Sequence, residues 1–70
     1  MWAINGATAF NLDRADFITV IDRQIVAIYS ERQVVLGIYE THEEAVAMFE
    51  RKMNTFGEGA TVVYMRGMNV

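Results

Sequence analysis

The only histidine of the chain, His42, is followed by Glu43. This pair opens the His-Glu-x-x-His pattern, in which two histidines one helical turn apart bind zinc. The second histidine is missing, and the chain has no cysteine to replace it. We therefore predict no metal site, and we expect His42 to be an exposed residue in the first turn of a helix.

A second pattern, Gly57-Glu58-Gly59, opens like a dinucleotide-binding fingerprint. Val62 stands where the third glycine belongs, and the pair follows a predicted helix, whereas phosphate binding needs it to follow a strand. The pattern therefore predicts a helix stop and a turn.

A third pattern, Asn11, Asp13 and Asp16, suggests a calcium-binding loop. Ala15 occupies the third ligand position of the EF-hand spacing, and no glycine or glutamate follows in place. We predict instead a loop in which the Asn and Asp side chains bond the local backbone.

The residues available for nucleophilic catalysis are one histidine and a few scattered serines and threonines. Ser30 lies in a predicted polar turn, and the sequence around it offers no base to activate it. A pair of carboxylates that meets only in space remains open. We predict that the protein is not an enzyme and that it uses no cofactor.

Four basic residues are predicted to gather at one pole of a sheet. In a meander Arg14 and Arg32 lie at the same end, and a helix that returns antiparallel to residues 34–39 brings Arg51 and Lys52 there. Acidic residues fall near the same pole: Asp16, Glu31, Glu50 and Glu58. Two interpretations stay open, a mixed solvated surface or a binding site for a nucleotide or another anion.

Strands and one helix must position all of these residues. Runs of β-branched and aromatic residues at 17–21, 25–29 and 34–39 predict three antiparallel strands. The Asn5-Gly6 turn signal predicts that residues 7–12 pair back on residues 2–4. With a last strand over 60–65, we predict an α+β fold with an antiparallel meander sheet of four to five strands, in a single domain over residues 1–70.

The helix is predicted to cover about residues 42–56, before the last strand. Thr41 and Glu44 form a capping box at its start, and Gly57 is expected to end it in the left-handed conformation. An apolar stripe marks its buried face: Ala45, Phe49, Met53 and Phe56. If the last strand joins the same sheet as residues 34–39, the connection through the helix is right-handed.

The strands are apolar on both faces. Phe17 and Ile21 alternate with Ile18 and Val20, and the third strand places Val34, Leu36 and Ile38 on one face and Val35 and Tyr39 on the other. One helix covers only one face of a sheet. We therefore expect the other face to be covered by the first segment of the chain or by a second subunit.

Composition supports the second possibility. Hydrophobic residues make up 53% of the 70 residues, which is more than a chain of this length easily buries. The net charge is −3, and no basic stripe of the kind that binds nucleic acid is present. No apolar run reaches the length of a membrane span, and the first residues lack the pattern of a signal peptide. We expect a cytoplasmic homo-oligomer that binds neither membranes nor nucleic acid.

Exposed aromatic and methionine side chains are the best candidates for an interface, since such residues are favoured at binding surfaces. Trp2 is the strongest anchor. The other candidates are Tyr39, Met48, Met65 and Met68.

Three segments carry a resemblance: Trp2-Ala3-Ile4-Asn5, Phe10-Asn11-Leu12-Asp13, and the stretch from Leu36 to Ala45. Together they resemble short uncharacterised proteins of phages, prophages and mobile elements of Gram-positive bacteria. The resemblance implies a small β-rich fold with one helix. It implies no activity and assigns no functional residue.

Our leading hypothesis is a small non-catalytic accessory or regulatory protein that acts by self-association and by binding a protein partner. The alternative is a binding protein for a nucleotide or another small anion, for example a phage protein that sequesters a signal nucleotide of host defence.

Overall fold

Six strands form two sheets of three strands each in the computed structural model, which describes residues 1–65. The α+β class is confirmed, but the single meander of four to five strands is wrong. The elements follow in the order β1 (Trp2–Asn5), β2 (Thr8–Asn11), β3 (Phe17–Ile21), β4 (Gln24–Ile28), β5 (Gln33–Ile38), α1 (His42–Gly57) and β6 (Val62–Tyr64).

The first sheet, here called the mixed sheet, has the strand order β2-β1-β6. Strands β1 and β2 pair antiparallel through the two-residue loop Gly6-Ala7, and Gly6 adopts a φ of 59°. The predicted hairpin is thus confirmed. The last strand pairs parallel to β1, with Trp2 opposite Val62, and does not join the sheet of β5. The right-handed crossover was predicted only if β5 and the last strand shared a sheet. They do not, so that prediction does not apply.

The second sheet, here called the meander sheet, has the order β3-β4-β5, and all its strands are antiparallel. Asp22 and Arg23 join β3 to β4, and Asp22 takes a φ of 58°, which aspartate tolerates better than most side chains. At the other end, Tyr29 and Arg32 exchange backbone hydrogen bonds of 2.7 and 3.3 Å around the second turn. The strands lie within one residue of their predicted positions.

A β-bulge in β5 changes which side chains share a face. Gly37 lies opposite Ile25, whereas Val35 lies opposite Val26, so that Leu36 has no partner of its own. Beyond the bulge the alternation is shifted by one residue. The expectation that Ile38 shares a face with Leu36 is therefore wrong, because Ile38 lies on the face of Val35.

Helix α1 begins at His42, directly after the predicted capping residue Thr41. The Thr41 hydroxyl accepts a hydrogen bond of 3.0 Å from the Glu44 amide, as a capping box requires. The helix ends one residue later than predicted, because Gly57 is still helical. The left-handed conformation falls instead on Gly59, whose φ is 101°.

One core lies between the two sheets and the helix. Its buried residues come from both sheets, the helix and the connecting segments: Ala3, Leu12, Ile25, Ala27, Leu36, Tyr39, Ala45, Val63 and Met65. The helix contacts β3, β4 and β6, while β1 lies against β5. The first segment of the chain therefore covers the same face of the meander sheet as the helix does, and not the opposite one.

Candidate functional site

The opposite face of the meander sheet is a regular three-by-three array of side chains, here called the nine-residue face. The pairing of the three strands defines its rows: Phe17, Ile28 and Gln33; Thr19, Val26 and Val35; Ile21, Gln24 and Ile38. None of the nine residues is charged. A solvated sheet face normally alternates polar residues with the buried ones of the other face, so this composition is typical of a face that is covered.

Exposure within the nine-residue face rises from its centre to its edge. Val26 at the centre is buried, whereas Phe17 and Ile21 on the outer strand β3 are 57% and 45% exposed. In the part of the chain that the structure describes, none of the nine residues belongs to the core cluster or packs against it. Phe17 and Ile21 are therefore two large apolar side chains at high exposure on one array.

Among the described residues, β3 is an edge strand of the meander sheet and borders this face. Its five residues, Phe17–Ile21, contain no charge and no proline, which are two of the devices that normally block edge-to-edge pairing. The charges nearest along the chain are Asp16 and Asp22, one at each end of the strand. The β3 edge and the nine-residue face thus form one continuous apolar border.

The outer face of the mixed sheet is a second apolar surface. Trp2 and Tyr64 lie on it at 42% and 63% exposure, and Val62 lies opposite Trp2. Ile4 lies opposite Tyr64 on the same face. The structure thus places Trp2, our predicted anchor residue, on an exposed surface.

The other predicted interface residues take different places. Tyr39 is only 2% exposed and Met65 is buried, and both belong to the core cluster. Met48 is partly buried and packs against the same cluster. Met68 lies outside the described residues. Of the predicted set only Trp2 therefore lies on an open surface among residues 1–65.

Tyr39 is buried with its hydroxyl against the backbone of β5. Its Oη makes no hydrogen bond within the described residues, and a β-carbon placed on Gly37 would lie 2.8 Å from it. Burial raises the pKa of the Tyr39 hydroxyl above 10.0, and the carboxylate of Glu44 adds to the rise. The glycine leaves the space that the tyrosine ring fills.

The four predicted anion-binding residues are Arg14, Arg32, Arg51 and Lys52. The guanidinium of Arg32 lies 5.4 Å from the centroid of the Tyr29 ring, a cation–π distance. Arg14 and Arg51 are exposed and Lys52 is partly buried. The anion site stays a prediction.

The loop after β2 has the local bonding that its sequence predicts. The Asn11 side chain accepts a hydrogen bond of 3.0 Å from the Asp13 amide, and the Asp13 carboxylate forms an ion pair with the terminal amine of Met1.

Over the described residues, no group of three potential ligands is placed to hold a metal ion. Within the same range, no helix has the length and apolar character needed to cross a membrane.

His42 has a structural contact. Its Nδ1 lies 2.5 Å from the carbonyl oxygen of Asp22, so this nitrogen carries a hydrogen and donates it. The bond ties the first residue of α1 to the turn between β3 and β4. The same turn accepts a bond of 2.8 Å from the Tyr39 amide to the Arg23 carbonyl.

Sequence reasoning missed two features of these surfaces. Tyr64 was not recognised as exposed, since a short strand of three apolar residues gives no sign of which face is open. Asn5 was assigned to a turn, yet it is buried in β1 and its Nδ2 donates a hydrogen bond of 2.9 Å to the Leu36 carbonyl. Only Gly6, the second half of the turn signal, enters the turn itself.

Comparison with known proteins gives no relative from which a function could be carried over. No protein-family model, no curated protein and no solved structure matches the chain. The resemblance to short phage and prophage proteins therefore stays a prediction.

Proposed function

We propose that this protein is a non-catalytic accessory or regulatory protein that associates with a second copy of itself through the nine-residue face. The observation that carries the proposal is the absence of charge across all nine positions, in a chain whose net charge is −3. Apolar area removed from water drives association, and an uncharged face meets its own copy without repulsion or desolvation of charge.

A symmetric dimer satisfies the geometry of this face. In a two-fold arrangement the same patch serves both partners, and sheets that stack face to face interdigitate their side chains at about 10 Å. Phe17 and Ile21 on the outer strand β3 then pack into the partner copy. A partner with charged side chains at its centre would bury them unpaired against this face.

The size of the face favours a weak dimer over a tight one. With strands about 4.8 Å apart and a rise of about 3.4 Å per residue, the face measures about 14 Å by about 17 Å. That flat area is about a third of the roughly 800 Å² that each partner of a standard interface buries. We therefore propose a weak dimer, with a dissociation constant of about 10⁻⁵ to 10⁻⁴ M, which a protein partner can displace.

The aromatic outer face of the mixed sheet is the proposed site for the protein partner. Trp2 and Tyr64 are residue types that carry much of the binding energy of interfaces. They lie on the sheet that is not used by the dimer, so both contacts can form in the same complex. This part of the proposal rests on the exposure of the two side chains.

The test is sedimentation velocity or light scattering over a dilution series from about 1 µM to about 1 mM, which spans the proposed constant. The wild-type mass is expected to rise from 8.0 kDa towards twice that value. Phe17→Lys is expected to hold the protein at the monomer mass, because it places a charge in the interface. Thr8→Lys, at another exposed strand position but on the other sheet, is the matched control and is expected to leave the rise unchanged.

Two outcomes would contradict this proposal. A wild-type mass that stays at the monomer value up to the highest concentration removes the dimer. An equal loss of association in Phe17→Lys and Thr8→Lys shows that added charge, and not the nine-residue face, is responsible. The fluorescence of Trp2, the only tryptophan, is expected to stay constant through dimerisation, since it lies on the other sheet.

A further inference from the structure

Asn5 forms a polar contact between the two sheets inside the core. Its side chain is 4% exposed, and its Nδ2 donates to the Leu36 carbonyl at 2.9 Å. Leu36 is the unpaired residue of the β5 bulge. The bond therefore joins β1 to the one point of β5 where the regular ladder is interrupted.

The residue after Asn5 is Gly6, and this pair carries a known chemical lability. The backbone nitrogen of the second residue can attack the asparagine Cγ, forming a C–N bond and expelling ammonia. The resulting succinimide ring is opened by water to aspartate or isoaspartate, so the sum is one water consumed and one ammonia released. A glycine in the second position offers the least steric hindrance to the attack.

The folded structure restrains both the backbone and the side chain of Asn5. Asn5 pairs with Thr8 across the hairpin, which fixes its backbone in the extended conformation, and the bond to Leu36 fixes its side chain. Attack by the Gly6 nitrogen requires both to rotate. We propose that Asn5-Gly6 is a deamidation site whose reaction is gated by separation of β1 from both β5 and its hairpin partner β2.

Deamidation would make that separation permanent. The donor Nδ2 is replaced by a carboxylate oxygen, which faces the Leu36 carbonyl acceptor in a buried position. A buried acceptor without a donor is destabilising, and an ionised one is more so. The isoaspartate product also inserts an extra backbone atom into β1. The modified chain therefore loses the polar contact between its sheets and does not regain it.

The experiment compares deamidation of the intact wild-type protein in native buffer and in urea at neutral pH, followed by proteolysis and mass spectrometry of the peptide that contains residue 5. We expect conversion at Asn5 to be at least about tenfold slower in native buffer, since only locally opened molecules react. Increasing urea below the unfolding transition is expected to raise the rate in proportion to the open fraction.

The chain supplies its own controls. Asn11 and Asn54 are exposed, but bulky residues follow them, Leu12 and Thr55, so both are expected to convert more slowly than Asn5 in urea. Asn5→Asp reproduces the main charge change and is expected to unfold at lower urea than wild type.

Three results would overturn the proposal. Equal rates at Asn5 in native buffer and in urea show that the fold does not gate the reaction. Faster conversion at Asn11 or Asn54 than at Asn5 in urea shows that Asn5-Gly6 is not the labile pair. An Asn5→Asp protein as stable as wild type shows that the contact with Leu36 does not hold the sheets together. The comparison on the wild-type chain does not depend on whether the variant folds.

Discussion

The two faces of the meander sheet are made by the same three strands and are similarly apolar, yet residues 1–65 cover only one of them. The inner face carries Ile18, Val20, Ile25 and Ala27, and it packs against both α1 and the mixed sheet. The outer, nine-residue face carries Phe17, Ile21, Ile28 and Val35, and no described element packs on it. Hydrophobicity alone therefore does not decide which face becomes the core of the monomer.

The two faces differ in the size of their side chains. The inner face holds two small residues, Ala27 and Gly37, and the Tyr39 ring fills the space beside Gly37. The core residues Ala3 of β1 and Ala45 of α1 are also small. The nine-residue face has no residue smaller than threonine or valine. It is suited to a flat partner that lies on top of it.

The largest expected difference between the faces concerns isoleucine truncation. Ile25→Ala on the inner face removes a fully buried side chain and should lower the free energy of unfolding by about 3 kcal/mol. Ile21→Ala on the nine-residue face, where the side chain is 45% exposed, should cost less than about 1 kcal/mol. Urea denaturation at a concentration where the protein is monomeric measures both, and equal losses would contradict the assignment of the faces.

A second test enlarges the inner face at its tightest point. Gly37→Ala places a β-carbon 2.8 Å from the Tyr39 Oη and 3.2 Å from two ring carbons, and should destabilise the protein by about 1–3 kcal/mol. Tyr39→Phe removes the hydroxyl, so the double variant should lose less stability than Gly37→Ala alone. Additive losses in this double-mutant cycle would show that the two residues do not compete for the same space.

A third test weakens the cover and leaves the sheet unchanged. Thr41→Ala removes the side-chain oxygen that accepts from the Glu44 amide, which should cost about 1 kcal/mol of stability. Thr41→Ser keeps the hydroxyl and is the matched control. The circular dichroism of the helix and urea denaturation should change together, and a loss of equal size in Thr41→Ser would point away from the cap.

The smallest expected effect on stability near neutral pH comes from ionisation of Tyr39. This side chain lies on the inner side of the meander sheet. Because its folded pKa is raised above 10.0 by burial and then by Glu44, the stabilisation is complete below pH 10 and is lost as the pH rises through the folded pKa. Wild type should therefore lose stability above pH 10 more steeply than Tyr39→Phe. Parallel pH profiles of the two proteins would contradict it. The nine-residue face contains no titratable group.

Local signals in the sequence predicted the separate elements well. The Thr41 and Glu44 capping box located the start of α1, and the polar breaks around Asp22 and Ser30 located the turns of the meander. These features depend on neighbouring residues, whose chemistry is visible in the sequence. The position of Gly59, and not Gly57, in the left-handed region shows the usual uncertainty of a helix end.

How the elements pair and which side chains face the core could not be predicted from the sequence, for physical reasons. The bulge at Leu36 has no local signature, yet it decides that Ile38 faces outward and Tyr39 inward. The parallel pairing of β1 with β6 joins residues 60 positions apart, Trp2 and Val62, and hydrophobic patterning carries no information about such partners. The sequence showed that one helix could not cover two apolar sheet faces. Which nine residues form the uncovered face could be known only from the strand register.

The pairing of β1 with β6 also orders events during synthesis of the chain. Residues 17–38 hold the whole meander sheet, whose contacts are local and can form as soon as the segment leaves the ribosome. Strand β1 is made first but must wait for Val62 before its second edge is paired. During that interval the inner face of the meander lacks part of its cover and is open to other nascent chains.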